Sequence, residues 1–237
     1  MKKNWLRKKK IMKKIINKNI ENKEKIIIFL GNKKSGKTTI IFLLIYYLIN
    51  KNKLILLINS DKKIAKKYFN NYKSSYKNKY KEIKIRKNFY ILNEIREKKN
   101  NKKNIDFNKK YNKKYDYILV DTKNRNDFYK YNKLIKNNDK IILILEGKTL
   151  GIKEIKDFIE KQEENLINKD AGLHIIANKY YFNSINFQIL KNIFKCPKKI
   201  YIIYKRNSYK NILQKFINNK EIQLNKKIQK ILSEIIK

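Results

Sequence analysis

The chain has 237 residues, 42% apolar and 12% aromatic, which is enough to close a substantial core and argues against a disordered chain. Cys196 and His174 are its one cysteine and one histidine, which excludes an intramolecular disulfide and argues against a zinc site or a histidine-based triad. Lys and Arg outnumber Asp and Glu by 61 to 20, a formal charge of +41, but Lys, Asn and Ile are spread evenly. The charge therefore reads as a compositional bias rather than a focused nucleic-acid site, although such a surface attracts non-specific DNA or an anionic membrane surface in a salt-dependent way.

Residues 1–24 form a basic N-terminal extension, expected to be helical, whose apolar residues are scattered among lysines. It has no continuous apolar stretch of the kind a signal peptide needs. The run 40–49 is the longest apolar one, too short for the roughly 20 residues of a membrane span. A cytoplasmic location is expected, with peripheral membrane association as a variant.

The segment 25–30 (KIIIFL) is apolar and β-branched, as a strand buried on both faces should be. An apolar helix is expected over 38–50, a strand over 53–58, a polar helix over 62–71 and a strand over 87–92. Residues 97–114 are mostly Lys and Asn and read as an exposed loop. Further strands are expected over 115–120 (YDYILV), 140–145 (KIILIL), 172–177 (GLHIIA) and 199–204, with helices over 126–137 and 152–167. Cys196-Pro197 reads as a helix terminator before the last strand. The tail from residue 209 reads as an amphipathic helix that packs on the domain or lies on a membrane surface. Buried strands alternating with helices imply an α/β fold, a mostly parallel sheet wound with helices on both faces. One domain is expected over 25–237, including the tail.

The strongest chemical signal is Gly31-Asn-Lys-Lys-Ser-Gly36-Lys37-Thr38, a complete G-x-x-x-x-G-K-[ST] loop between a strand and a helix. Two of only five glycines occupy its two required positions. In such a loop the backbone of Gly31, Lys33, Lys34, Ser35 and Gly36 turns its N–H groups around a β-phosphate. Lys37 reaches the β- and γ-phosphates, and the Thr38 hydroxyl ligates magnesium. The following helix adds its positive N-terminal end. These residues call for ATP or a related nucleotide with Mg2+.

Asp121 leaves the strand YDYILV as a Walker B carboxylate does, holding magnesium through a water; a helix N-cap is the alternative. Asp116 reads as a strand-start residue. Asp61 closes the strand LILLI, where it either orients an attacking water or caps a helix. Asn178-Lys179 lies at the carboxyl end of another strand, the edge where wound α/β sheets bind ligands. His174 reads as a core or edge histidine.

In order, these segments resemble the MinD/ParA family of P-loop ATPases across about residues 25–205. GNKKSGKTT is similar to the family's Walker A, LLINSD to its second strand, KNFYILN to its third, YDYILVDT to its Walker B and GLHIIANKY to its adenine-contacting strand. NDKIILILEGKTLGIKEIKDFI fits the strand and helix between the last two. The resemblance implies that Lys37 and Thr38 bind phosphate and magnesium, and that Thr39 touches the α-phosphate. It further implies that Asp61 positions the hydrolytic water, Asp121 serves magnesium and Asn178 contacts adenine.

The chain departs from the family at three places. Asn32 occupies the position of the signature lysine, with Lys33 and Lys34 as the candidates to replace it. Asn59 replaces the first carboxylate of D-x-D, and KNRND follows Asp121-Thr122. The expected function is a MinD/ParA-like ATP-binding protein, an ATPase of slow hydrolysis acting as an ATP-dependent homodimer. With a partner protein it would place a cargo in partition, division-site selection, or a pilus, flagellar or secretion apparatus. The alternatives are a non-hydrolysing nucleotide-binding adaptor and, last, a tyrosine kinase of related fold.

Overall fold

The computed structural model describes residues 25–31, 35–59, 80–94, 114–122, 131, 135, 139–146, 172–180, 199–204, 212–218 and 220–237. Among them, eight strands make one sheet. They are β1 (Lys25–Gly31), β2 (Ile55–Asn59), β3 (Tyr80–Arg86), β4 (Phe89–Glu94), β5 (Tyr117–Asp121), β6 (Lys140–Glu146), β7 (Gly172–Tyr180) and β8 (Lys199–Tyr204). Their order is β3-β4-β2-β5-β1-β6-β7-β8. Every neighbouring pair is parallel except β3–β4. The mostly parallel sheet expected from the sequence is therefore present.

The apolar strands follow from burial on both faces. Ile27 and Phe29 of β1 join a core with the helices α1 (Lys37–Ile49), α2 (Ile212–Ile217) and α3 (Lys226–Ile236). Ile26, Ile28 and Leu30 point the other way, into a second core with Tyr131 and Ile135. The two-residue period of the strand thus feeds two layers from one segment.

One strand was not anticipated. β3 reads YKEIKIR, with Ile83 and Ile85 alternating with Lys84 and Arg86. It pairs antiparallel with β4 through the turn at Lys87-Asn88, so the strand expected over 87–92 begins instead at Phe89. As an edge strand it needs only one apolar face. Arg86 lies over the Phe216 ring at 4.0 Å and donates to the Phe216 carbonyl, tying the edge to α2.

Helix α1 is apolar around its whole circumference, and Ile40–Ile45 and Leu48 are buried. Each such side chain contributes about 1.5–3 kcal/mol of burial. The helix ends where Asn52 takes φ 55 and the Lys53 amide bonds back to the Leu48 carbonyl. It is thus held as a rigid rod under the sheet, with its N-terminus at the carboxyl edge of β1.

The tail differs from the single helix expected from residue 209. Ile222 and Leu224 lie outside helices, in the segment before α3, and Asn225 opens α3 by accepting from the Ile228 amide at 2.9 Å. Ile228, Ile231, Leu232 and Ile235 of α3 are buried in the first core, so this helix packs on the sheet. Lys25 donates to the Ile236 carbonyl at 2.9 Å and Lys199 pairs with Glu234 at 2.9 Å. Cations thereby meet the negative end of the helix.

Tyr201 lies in the same region, and its ring stacks on His174, with the hydroxyl 3.3 Å from His174 Nδ1. His174 is accordingly a core residue, as expected. Burial, with the Glu234 charge adding to it, pushes the Tyr201 phenol up to about 12. The folded state holds this proton more tightly than the unfolded chain, whose phenol sits near 10.0. The contribution is therefore complete below pH 10 and lost as pH rises towards about 12. Denaturant melts should show a steeper loss of stability across that window for the wild type than for Tyr201→Phe.

The expected helices 62–71 and 152–167, the extension 1–24, the pair Cys196-Pro197 and nearly all of the loop 97–114 lie outside the described residues. Of 126–137, Tyr131 is helical and Ile135 is not; both are buried. Among the described residues, no helix is long and apolar enough to cross a membrane.

Candidate nucleotide-binding site

The topology selects one edge of the sheet. From β1 the chain builds outward to β2 and β4, returns to β5 beside β1, then crosses to β6 on β1's other side. A crevice at the carboxyl ends of β5, β1 and β6 is the place such sheets bind ligands. The register aligns their ends: Phe29 lies opposite Asp121, Asn59 opposite Asp121, Gly31 opposite Ile144 and Glu146 opposite Asn178.

The loop leaves β1 at Gly31. A Cβ there would sit 2.5 Å from the Ile144 carbonyl oxygen and 2.9 Å from Ser35 Oγ, so only glycine lets the loop turn so close to β6. Gly36 precedes α1 with φ 87 and ψ 16, a left-handed conformation that glycine adopts without strain. A Cβ there would run into the Asn178 side-chain amide. The Ile40 amide bonds to the Gly36 carbonyl at 3.1 Å, which starts the helix. Among the described residues no side chain caps the α1 N-terminus, and its first turn holds no acid. That end is a positive dipole with open donors, suited to an anion.

Lys37 is the first residue of α1, and its Nζ lies 3.4 Å from Asp121 Oδ1, with both side chains largely buried. It also donates to the Thr122 carbonyl. The start of α1 and the end of β5 are thus joined by a cation and a carboxylate in a low-dielectric crevice, where charges interact strongly and need partners. Thr122 was not singled out from the sequence. Its hydroxyl donates to the Phe29 carbonyl at 2.7 Å, fixing the strand ends against each other. Thr38 and Thr39 follow in the first turn of α1, half-buried.

Ser35 is 1% exposed, and among the described residues its hydroxyl has no hydrogen-bond partner. A buried orphan hydroxyl is costly unless a ligand or water meets it. Across the loop, Asn178 Nδ2 donates to the Ser35 carbonyl at 2.7 Å. Lys179 takes φ 54 and pairs with Glu146 at 3.2 Å.

Two other acids have structural roles. Buried Asp139 accepts from the Ile26 amide at 2.9 Å, and Asp116 accepts from the Leu54 amide at 2.8 Å, at the opposite edge of the sheet.

The residues present fit a nucleoside triphosphate with magnesium. The open helix end, the close-turning glycines, the orphan Ser35 hydroxyl and Lys37 suit phosphate oxygens. Thr38 and Asp121 are the oxygen ligands or water-holders a magnesium ion takes alongside phosphate, since it needs few protein ligands. No cluster of three or more His, Cys, Asp or Glu side chains occurs among the described residues. Of the expected site, Gly31, Ser35, Gly36, Lys37, Thr38, Thr39, Asp121 and Asn178 therefore stand along one strand edge. Asn32, Lys33, Lys34, Asp61 and the segment after Thr122 lie outside the described residues.

No protein-family model and no curated protein matches the sequence. Solved structures do. A putative plasmid partition protein from Borrelia burgdorferi B31 bound to AMPPNP is similar over 90% of this chain and 97% of its own, at 21% identity and TM-score 0.65. The cell division protein MinD of Aquifex aeolicus is similar over 90% and 96%, at 18% identity and TM-score 0.58. The septum site-determining protein MinD of Pyrococcus horikoshii, complexed with Mg-ADP, is similar over 90% and 96%, at 14% identity and TM-score 0.59. The fold is the MinD/ParA-like P-loop fold.

Proposed function

We propose that this MinD/ParA-like fold binds ATP with magnesium at the loop Gly31–Thr38 and uses nucleotide state to place a cargo in the cytoplasm or at the inner membrane face. The observation that carries the reading is the arrangement of Lys37, Asp121 and the uncapped start of α1 at one crevice of the sheet. Complexes of similar folds with AMPPNP and Mg-ADP support it.

ATP supplies a γ-phosphoryl group for transfer to water, and magnesium neutralises charge on the phosphate oxygens. The chain's own part is positioning and charge. The loop amides and the α1 dipole hold the phosphates, and Lys37 leaves Asp121 to meet the β- and γ-oxygens. Thr38 supplies a hydroxyl and Asp121 holds a water for the metal. Asp61 is assigned the water-orienting role. Thr39 is assigned to the α-phosphate.

Asn32 and Asn59 replace groups that the resembled family uses, which favours slow turnover and leaves a non-hydrolysing adaptor as the second reading. An ATP-dependent homodimer and an unidentified partner protein complete the proposal. Phosphate release under saturating Mg-ATP separates the readings. Turnover lost in Asp61→Ala, with ATP binding retained, supports an ATPase. Binding without turnover in the wild type identifies the adaptor, and no binding overturns both.

A further inference from the structure

The carboxyl end of β7 reaches the loop between β1 and α1. Asn178 is 8% exposed, and its Nδ2 donates to the Ser35 carbonyl at 2.7 Å, inside the phosphate loop. The same amide fills the space that a Cβ on Gly36 would take, so it presses on the loop at two consecutive residues. The next residue, Lys179, is held at φ 54, uncommon for a lysine, and its ammonium pairs with Glu146 at 3.2 Å. Glu146 lies opposite Asn178 in the β6–β7 register. A left-handed non-glycine residue persists where its surroundings over-determine it, and such strain gathers at functional sites.

We propose that Asn178 is a positioning residue for the phosphate loop, acting through Ser35 and Gly36, with the Glu146–Lys179 pair holding the end of β7 in place. The inference rests on the nucleotide-binding reading above and changes the part of Asn178 within it. The Ser35 carbonyl must point away from the phosphates if the following amides are to point towards them. A carbonyl fixed outward by the Asn178 amide preorganises the Gly36 donor of the same peptide, next to the Lys37 donor whose peptide carbonyl is held by the Ile40 amide. One of the two Nδ2 N–H donors is then engaged on the protein, so phosphate affinity is coupled to β7 irrespective of the base.

The test compares the wild type with Asn178→Ala and Asn178→Asp, the latter placing a carboxylate oxygen against the Ser35 carbonyl. Affinities are measured by calorimetry for Mg-ATP, Mg-GTP and Mg-tripolyphosphate, which carries no base. Positioning through the loop weakens all three by a similar factor, about tenfold for loss of one buried hydrogen bond. The ATP-to-GTP ratio stays unchanged, and Asn178→Asp is at least as impaired as Asn178→Ala. Loss confined to ATP, with tripolyphosphate binding intact, makes Asn178 a base contact and overturns the inference. Glu146→Gln, which keeps the fold's shape, should weaken tripolyphosphate binding in the same direction; no change there removes the proposed support of β7. Thermal melts without ligand identify any variant that has lost its fold. Failure of wild-type protein to bind any of the three probes would instead refute the nucleotide-binding reading itself.

Discussion

Lys37→Ala is expected to weaken Mg-ATP binding by about 100-fold or more, the loss of charge-assisted hydrogen bonds to two phosphates. The ammonium is already in the crevice, 3.4 Å from Asp121 and bonded to the Thr122 carbonyl, so it needs only a short swing to reach a ligand. Lys37→Arg should also fail. A planar guanidinium is longer and wider than an ammonium and cannot replace the compact charge that meets Asp121 and the Thr122 carbonyl. Calorimetry on both variants checks the affinity, and ligand-free melts check the fold. Asp121 loses a counter-charge in Lys37→Ala, so a modest fall in melting temperature is expected alongside the binding loss. Unchanged affinity in a folded Lys37→Ala protein would remove the phosphate loop from the function.

Gly36→Ala should be a strongly damaging single-methyl change in the site. At φ 87 an alanine carries left-handed strain, and its Cβ meets the Asn178 amide. Strain and overpacking together cost about 3 kcal/mol. Asn178 can yield only by releasing the Ser35 carbonyl, so loop order and nucleotide affinity fall together. Chemical denaturation reads the first effect and calorimetry the second. In an Asn178→Ala background the methyl gains space, so the two changes should be less than additive, leaving the strain at Gly36. Full additivity would mean that the two residues do not press on each other.

The parts of the site that lie together in sequence were legible there. Gly31, Gly36, Lys37 and Thr38 must be contiguous because one turn and one helix start build the cradle, and contiguity is what a sequence displays. Asp121 was legible because it ends a run buried on both faces. Thr122 was not, since its partners Phe29 and Lys37 reach it through strand order rather than spacing. The Glu146–Lys179 pair was hidden for the same reason: the β6–β7 register brings together residues 33 apart.

Elsewhere the composition obscured ordinary signals. The alternation of Ile83 and Ile85 in β3 is a fair mark of an edge strand, but it is short and set among lysines that occur everywhere. In the tail, Ile222 and Leu224 continue the apolar spacing of α3 without being helical. The mark of the true start was Asn225, whose side chain accepts from the Ile228 amide.

The most direct measurement is a crystal structure of the wild-type chain with magnesium and a non-hydrolysable ATP analogue. The β-phosphate is expected within the amides of the loop Gly31–Thr38, with Lys37 turned from Asp121 onto the β- and γ-oxygens and Thr38 on the metal. A triphosphate bound elsewhere, or a loop still closed by the Lys37–Asp121 pair at saturating analogue, would contradict it.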